Sequence, residues 1–333
     1  MFYVIYACND NYAKLAGVSL FSLLKNNRDI DSLSIGILDD NISCINKKKL
    51  QNTAELFNRE IIFFNVDEKI AQLKNDINPY GNAADSKTGG YTAYARLFIS
   101  EYLPNNIQKV IYIDCDTLIN NSIKDLVNFS MDNKSIALAY DCFRKEYKQY
   151  IQYPDDYPYY NSGVVLIDIK NWKKYNCTQQ ILMHLREKKR YYPLVDQDIL
   201  NIVLKDHIQL LPLRYNVLSQ CFLYNYSALK YVYGLKTYYK KSEFVHAKSQ
   251  PAIYHFCGQT FGRPWFSNSK HPIKALYDSY YYESEWKDEK QATYNWKIEY
   301  KIQYILYRWF PKCCAAFIGM LMQRIFIFIT YKK

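Results

Sequence analysis

Asp114 and Asp116 stand one residue apart, directly after the apolar run Lys109 to Ile113. In an extended segment alternate side chains project to the same side, so the two carboxylates face one way. Hard oxygen ligands in that arrangement suit magnesium or manganese, and a divalent ion held there would bridge a diphosphate and neutralise its charge as it leaves. His255 ends a later apolar run, and an imidazole joined to two carboxylates suits manganese better than calcium. Behind it runs His-Phe-Cys-Gly-Gln-Thr-Phe-Gly-Arg-Pro-Trp, residues 255–265. Its glycines let backbone approach a phosphate closely, and Arg263 offers a planar fork of donors to phosphate oxygens. Taken singly, an Asp-x-Asp pair is usually a solvated turn and a strand-end histidine a hydrogen-bonded core residue. Their common setting gives them meaning.

That setting is a series of elements able to gather polar groups in one crevice. Phe2 to Ala7 is an apolar run followed by Cys8-Asn9-Asp10-Asn11, after which Leu15, Val18, Leu20, Leu23 and Leu24 recur at helical spacing. Leu33 to Leu38 and Glu60 to Val66 read as further strands, with a lysine-rich helix near Lys47 to Phe57 between them. Strands alternating with helices predict a mostly parallel sheet covered on both faces. Ala93 to Tyr102 has helical periodicity and stops before Pro104; Lys109 to Ile113 then reads as a strand delivering the aspartates to the carboxyl edge, where such sheets hold ligands. Ile136 to Tyr140 and Gly163 to Ile169 are buried strands with Asp141 after the first and Asn161-Ser162 before the second. Asp196 to Lys205 reads as a helix with an acidic start, and Ile253 to Phe256 as a last strand. The charged stretch Glu283 to Gln291 reads as a linker, giving a catalytic domain over 1–280 and a tail over 281–333.

With 49% hydrophobic residues in 333, the chain has material for one large α/β core, which excludes a disordered or fibrous protein. The formal charge of +11 favours an acidic partner, and much of the excess lies at one end. From Trp296 onward, Lys297, Lys301, Arg308, Lys312, Arg324, Lys332 and Lys333 face only Glu299. The tail mixes these with Tyr300, Tyr304, Tyr307, Trp309 and Phe310, then an apolar run from Cys313 to Ile329 broken by Gln323 and Arg324. That pattern predicts an amphipathic helix lying on an anionic membrane surface rather than a span. A domain-covering helix or a homo-oligomer contact is the alternative. Nine scattered cysteines without a Cys-x-x-Cys pair, and an N-terminus without a basic leader, predict a cytoplasmic protein, peripheral on the inner face of the membrane.

Six motifs occur in one order: Ile-Tyr-Ala-Cys-Asn-Asp-Asn-Tyr-Ala from residue 5, Tyr-Ala-Arg-Leu-Phe at 94–98, Lys-Val-Ile-Tyr-Ile-Asp-Cys-Asp at 109–116, Asn-Ser-Gly-Val at 161–164, Asp-Gln-Asp-Ile-Leu-Asn at 196–201, and the 255–265 loop. In this the chain resembles glycosyltransferase family 8, and in particular its bacterial lipopolysaccharide galactosyl- and glucosyltransferases, over about residues 3–265. The resemblance implies a GT-A fold, a UDP-hexose donor, manganese with magnesium as the substitute, and retention of anomeric configuration. It implies that Asp114, Asp116 and His255 hold the metal; that Ala7, Asn9, Asn11 and Tyr12 meet the uridine; that Arg96, Asp114 and Cys115 line the donor pocket; and that Gly258 and Arg263 touch the diphosphate. Asp141, Asn161, Asp196 and Gln197 would surround the transferred sugar, and the acceptor would be a glycan or glycolipid, with no nucleic acid partner. Two positions depart from the family pattern: Asn9 stands where aspartate is usual, and the closing loop has two extra residues and Arg263 in place of lysine.

Two rival readings accompany this one. Ile-Asp-Cys-Asp-Thr at 113–117 also matches the Asp-x-Asp-x-Thr of haloacid-dehalogenase-type phosphatases, a motif that usually opens its domain and here lies behind a complete strand-loop-helix unit. The other rival is a nonenzymatic basic protein that binds surfaces through its tail.

Overall fold

The computed structural model describes residues 2–68, 70–71, 90–104, 106–188 and 192–331. Its centre is β1 (Phe2–Asn9), buried along almost its whole length because both faces of the sheet are covered. β1 pairs in parallel with β2 (Leu33–Asp40) on one side and β4 (Lys109–Ile113) on the other, and β3 (Ile61–Asn65) adds outside β2. The chain thus leaves β1 toward one edge and returns to its opposite side. This is the topological switch point at which an open α/β sheet has a crevice beyond its strand ends. The seven-stranded order is β3-β2-β1-β4-β7-β6-β8, with β6 at Ile136–Tyr140, β7 at Tyr160–Asp168 and β8 at Ile208–Leu210.

β7 runs antiparallel to both β4 and β6. Its amino end therefore lies beside the carboxyl ends of its neighbours, and that reversal brings Asn161 and Ser162 to the same edge as Asp114 and Asp141. The strand begins three residues earlier than its apolar run predicts, because the polar pair is itself laddered: Ala139 faces Asn161. A second, three-stranded sheet, β5 (Thr117–Ile119), β10 (Ile253–His255) and β9 (Val217–Leu218), stands beyond β4. In its antiparallel β5–β10 register His255 lies opposite Thr117, next to Asp116.

One hydrophobic cluster joins β1 and β2 to helix Ala13–Asn26 and to Tyr277, Tyr281 and Trp286; another joins the opposite sheet face to Leu97, Trp172 and Ile199. Helix Cys44–Glu55 is capped by Ser43, whose Oγ accepts from Asn46 N at 3.3 Å. The segment expected as one helix over Ala93 to Tyr102 is instead a 3₁₀ helix, Gly90–Phe98, followed by the short α-helix Ile99–Tyr102. Three residues per turn align Ala93 with Arg96, and both side chains reach the cleft.

The 283–291 stretch is no free linker. Trp286 is 1% exposed and packs where a Cβ on Gly17 would lie 1.9 Å from its ring, while Glu289 pairs with Lys14 at 2.5 Å and Lys49 at 2.7 Å. The charges that suggested a linker are partners for the lysines of the first two helices. The tail forms helices Ile298–Trp309 and Lys312–Tyr331. Ala316 joins a cluster with Leu229 and Val232, and Ile327 one with Tyr147 and Tyr159, whereas Ile305, Trp309, Phe317 and Phe328 are exposed. Among the described residues no helix is long and apolar enough to cross a membrane.

Candidate metal and donor site

Ligand atoms of Asp114, Asp116 and His255 all lie within 4.8 Å of one another. β4 ends at Ile113 and releases the aspartates into a turn pinned from three sides. Asp114 N donates to Gly163 O at 2.8 Å, Cys115 Sγ to Ala7 O at 3.2 Å, and Thr117 Oγ1 to Asp114 O at 2.8 Å. His255 Nε2 stands 3.3 Å from Asp116 Oδ1 and 3.8 Å from Asp114 Oδ2. Its Nδ1 is 3.1 Å from Asn216 Oδ1, which fixes the ring and turns Nε2 toward the carboxylates. Gly163 makes room for the ring, since a Cβ there would lie 2.1 Å from His255 Cε1 and 2.9 Å from Asp114 Oδ2.

Burial alone would raise the pKa of Asp116, but His255 and then Arg263 outweigh it and hold the carboxyl well below the usual range. A set of two carboxylate oxygens and one imidazole nitrogen, with the second ring nitrogen engaged and the backbone cleared by a glycine, fits a divalent cation, which Asp114, Asp116 and His255 would hold. The donor chemistry suits manganese or magnesium.

Beside the triad Arg96, 7% exposed, reaches Asp114 Oδ1 at 2.7 Å and Ser162 O at 2.6 Å and stacks 4.1 Å from the centre of the Tyr112 ring. Asp196 Oδ2 lies 3.2 Å from Arg96 Nε, yet that N–H is directed to Ala93 O. Asp196 Oδ2 is thus a buried acceptor with no hydrogen-bond partner among the described residues, balanced only by the nearby Arg96 charge. Burial, partly offset by Arg96, pushes the Asp196 carboxyl up to about 6.

Gln197 is fully engaged. Its Oε1 accepts from Asn161 Nδ2 and Ser162 N, each at 3.1 Å, and its Nε2 donates to Asp141 Oδ2 at 3.2 Å and Tyr159 Oη at 3.3 Å. Asp141, raised by burial despite these bonds, also accepts from Asn161 Nδ2 at 2.9 Å. Helix Val195–Leu204, which carries Asp196 and Gln197, opens on Val195 with φ +47°. A β-branched residue in the left-handed region is strained, and here the strain aims two side chains into the cleft.

These groups line one cavity of about 400 Å³, in the size range of small-ligand sites. Ala7, Asn9, Tyr12, Arg96, Asp114, Cys115, Asp116, Asp141, Asn161, Asp196, Gln197, His255, Gly258 and Arg263 are all on its wall. Asn11 is not; it is exposed on the 3₁₀ turn Asp10–Tyr12. Asn9 caps that turn, its Oδ1 accepting from Tyr12 N at 3.3 Å. Arg263 bonds Asp116 Oδ2 at 2.9 Å, so the longer loop still delivers its cation to the metal edge. Four contributors escaped the reading of the sequence. Gly163, a glycine inside a β-rich run, carried a visible signal of close approach; Asn216 and Tyr159 carried none, because their roles arise from contacts distant in sequence, and Val195 carried none, because a β-branched residue does not announce a positive φ.

The chain matches the profile of glycosyl transferase family 8 over residues 3–269. It is 30% identical over 287 residues to general stress protein A of Bacillus subtilis, covering 85% of this chain and 94% of that one. It is 25% identical over 308 residues to a lipopolysaccharide 1,2-glucosyltransferase of Escherichia coli, covering 90% and 83%. Among solved structures, the galactosyltransferase LgtC in complex with donor and acceptor sugar analogues superposes with a TM-score of 0.67 at 22% identity, covering 86% of this chain and 99% of that one. The architecture is the GT-A fold of these transferases, with its mostly parallel central sheet flanked by helices.

Proposed function

The chain belongs to glycosyl transferase family 8, and from that premise we propose that it moves glucose or galactose from a UDP-sugar to a surface glycan, of lipopolysaccharide-core or capsular type, with retention of configuration and with manganese as its cation. The observation that carries the reading is the Asp114–Asp116–His255 triad at the switch-point edge of the sheet. Bound there, a divalent cation supplies charge neutralisation for a departing diphosphate.

The protein's own groups do the rest. Ala7, Asn9 and Tyr12 form the wall nearest the end of β1, where a nucleoside would lie, and Gly258 and Arg263 close over the diphosphate. Arg263, aimed at Asp116, places a positive charge where the leaving oxygen gains negative charge. Asp196, on the cavity wall and paired with Arg96, borders the hexose. Gln197 is a poor nucleophile held by Asp141 and Tyr159, which favours attack by the acceptor on the face the UDP leaves, with the leaving oxygen taking the acceptor's proton. Asp141 and Asn161 orient Gln197 and border the sugar.

The phosphatase reading needs Asp114 as a free nucleophile, whereas its Oδ1 is engaged by Arg96 and by Tyr112 at 2.9 Å. Exposed Ile305, Trp309, Phe317 and Phe328, together with the tail's lysines and arginines, support peripheral attachment to an anionic inner membrane face. The deciding experiment is a panel of UDP-sugars with and without manganese, read as UDP release. Manganese-dependent hydrolysis of UDP-glucose or UDP-galactose is expected; turnover of a phosphate monoester without either would overturn the assignment.

A further inference from the structure

Helix Ala13–Asn26 carries a polar stripe on a face it buries: Ser19, Ser22 and Asn26 recur at helical spacing, and both serines are fully buried. Hydroxyls taken out of water there cost free energy unless each finds a partner, and the partners lie along β5. Ser22 Oγ accepts from Ile119 N at 2.9 Å and donates to Ser19 O at 2.7 Å, while Asn26 Nδ2 donates to Ile119 O at 2.9 Å. Ser22 and Asn26 thus hold the far end of that strand.

Ser19 serves the near end, where the metal turn begins. Its Oγ lies 3.2 Å from Tyr6 Oη and 2.8 Å from Thr117 Oγ1, and Thr117 Oγ1 lies 2.8 Å from Asp114 O. A hydroxyl has a single proton to give. The Asp114 carbonyl can only accept, so Thr117 donates to it; Ser19 must then donate to Thr117, and Tyr6 to Ser19. The direction is fixed along the whole chain, and each bond polarises the next. Tyr6, Ser19 and Thr117 are at most 1% exposed, so bulk water does not compete for these bonds. The threonine that completes the Asp-x-Asp-x-Thr pattern therefore has its hydroxyl committed inside the core.

The chain ends on the peptide that joins Asp114 to Cys115. Asp114 N is held by Gly163 O and Asp114 O by Thr117, so the backbone is tied on both sides of this carboxylate. Thr117 also stands opposite His255 in the β5–β10 register, which places the end of the chain where the two halves of the triad meet.

We propose that Tyr6, Ser19 and Thr117 are positioning residues for the metal triad, a one-way hydroxyl chain that ties β1 and the first helix to the Asp114 carbonyl and presets the spacing of Asp114 and Asp116. They act through the turn and touch neither cation nor donor. This rests on the cation reading above, so the test reads the turn both with manganese and without it.

Manganese binding to the full-length protein is measured calorimetrically in the absence of donor. Thr117→Val, which keeps the shape and removes the hydroxyl, and Ser19→Ala should each raise the Kd about 10-fold, the low end of what loss of a group supporting a metal ligand costs. Either variant serves if circular dichroism shows the other unfolded. Thr117→Ser should restore wild-type affinity, and Ser19→Ala combined with Thr117→Val should bind no worse than Thr117→Val alone, because the chain is already cut. Ser22→Ala removes a buried bond from the other end of the same strand, so it should lower the melting temperature comparably while manganese affinity stays close to wild type. Amide hydrogen exchange over residues 114–116 without manganese should quicken in Thr117→Val and Ser19→Ala but not in Ser22→Ala. Unchanged affinity and exchange in the folded Thr117→Val and Ser19→Ala variants would overturn the proposal. So would an equal loss of affinity in Ser22→Ala, which would make the stripe a support of the fold alone. A wild type that binds no manganese would count against the cation site, and the exchange measurement alone would then decide whether the chain fixes the turn.

Discussion

The donor cleft shares the 258–263 loop with a second cavity of about 560 Å³ beneath the tail helices, and the two are built differently. The donor cleft is held by strand ends, and nearly every polar atom in it is fixed by another: His255 by Asn216, Gln197 by Asp141 and Tyr159, Asp114 by Arg96. The tail chamber is walled by the 257–263 loop on one side and by the two tail helices on another, with Thr260 Oγ1 donating to Gln303 Oε1 between them and Ile325 and Ile329 open to solvent. Charge must be placed to a fraction of an ångström to act on a leaving group, and a dense polar network achieves that. Precise placement of charge is thus concentrated on the strand-end side of the loop.

The sharpest break in that comparison is Asp116→Ala. Loss of a metal oxygen and of the partner of both His255 and Arg263 should lower manganese-dependent UDP release by about 10³-fold, several kcal/mol of barrier. The melting temperature should fall, because the pairs with His255 and Arg263 go with the carboxylate, while circular dichroism shows the fold kept; retained activity would remove the triad from the mechanism. Arg263→Ala should cost about 10²-fold in turnover, with Arg263→Lys partly restoring it. Wild-type kinetics in the alanine variant would show that the loop carries this cation away from the diphosphate. Asn216→Ala leaves every ligand in place but frees the imidazole, so the manganese concentration for half-activity should rise about 10- to 100-fold while turnover at saturating manganese stays close to wild type.

On the chamber side effects should be smaller and concern stability and attachment. His271, buried against Phe256 and Phe261, is pushed down to about 4 from an ordinary 6.5. The unfolded chain takes up a proton below 6.5 that the folded protein refuses until about 4. Stability from this group is therefore level above 6.5 and declines as pH falls through that window, by on the order of 3 kcal/mol. Thermal melts of the wild type should show the decline, and His271→Gln should flatten it. Last, Ile305→Ser with Phe317→Ser should reduce co-sedimentation with anionic vesicles several-fold without altering UDP-sugar hydrolysis, while added salt weakens the remaining binding. Unchanged sedimentation would make the tail a lining of the chamber and not an anchor.

The asymmetry also explains what was legible in the sequence. The candidate metal ligands carry short-range signals: two aspartates after a β-rich run, and a histidine before glycines, suggest a cation by type and spacing, and the order of the six motifs sets them apart from a solvated turn and a core histidine. The alternating strands and helices of residues 2–66 were equally open to reading, since periodicity is local. Whatever depends on distant contact was hidden. Nothing near Asn216 announces a partner at His255, and charges at 283–291 suggested solvent until Lys14 and Lys49 were found beside them. The antiparallel course of β7 was hidden for the same reason, because an apolar run has no direction.

Trp286 lodged against Gly17 bears on how the chain is made. The first helix has its largest facing side chain supplied from the far end of the catalytic fold, and β1 waits about a hundred residues for its second neighbour, β4. Long loops must close before such contacts form, which slows folding and keeps apolar surface uncovered meanwhile. As the chain leaves the ribosome, the face of that helix around Gly17 stays bare until almost the whole transferase fold has been synthesised. The nascent protein in that interval is a natural client for chaperones.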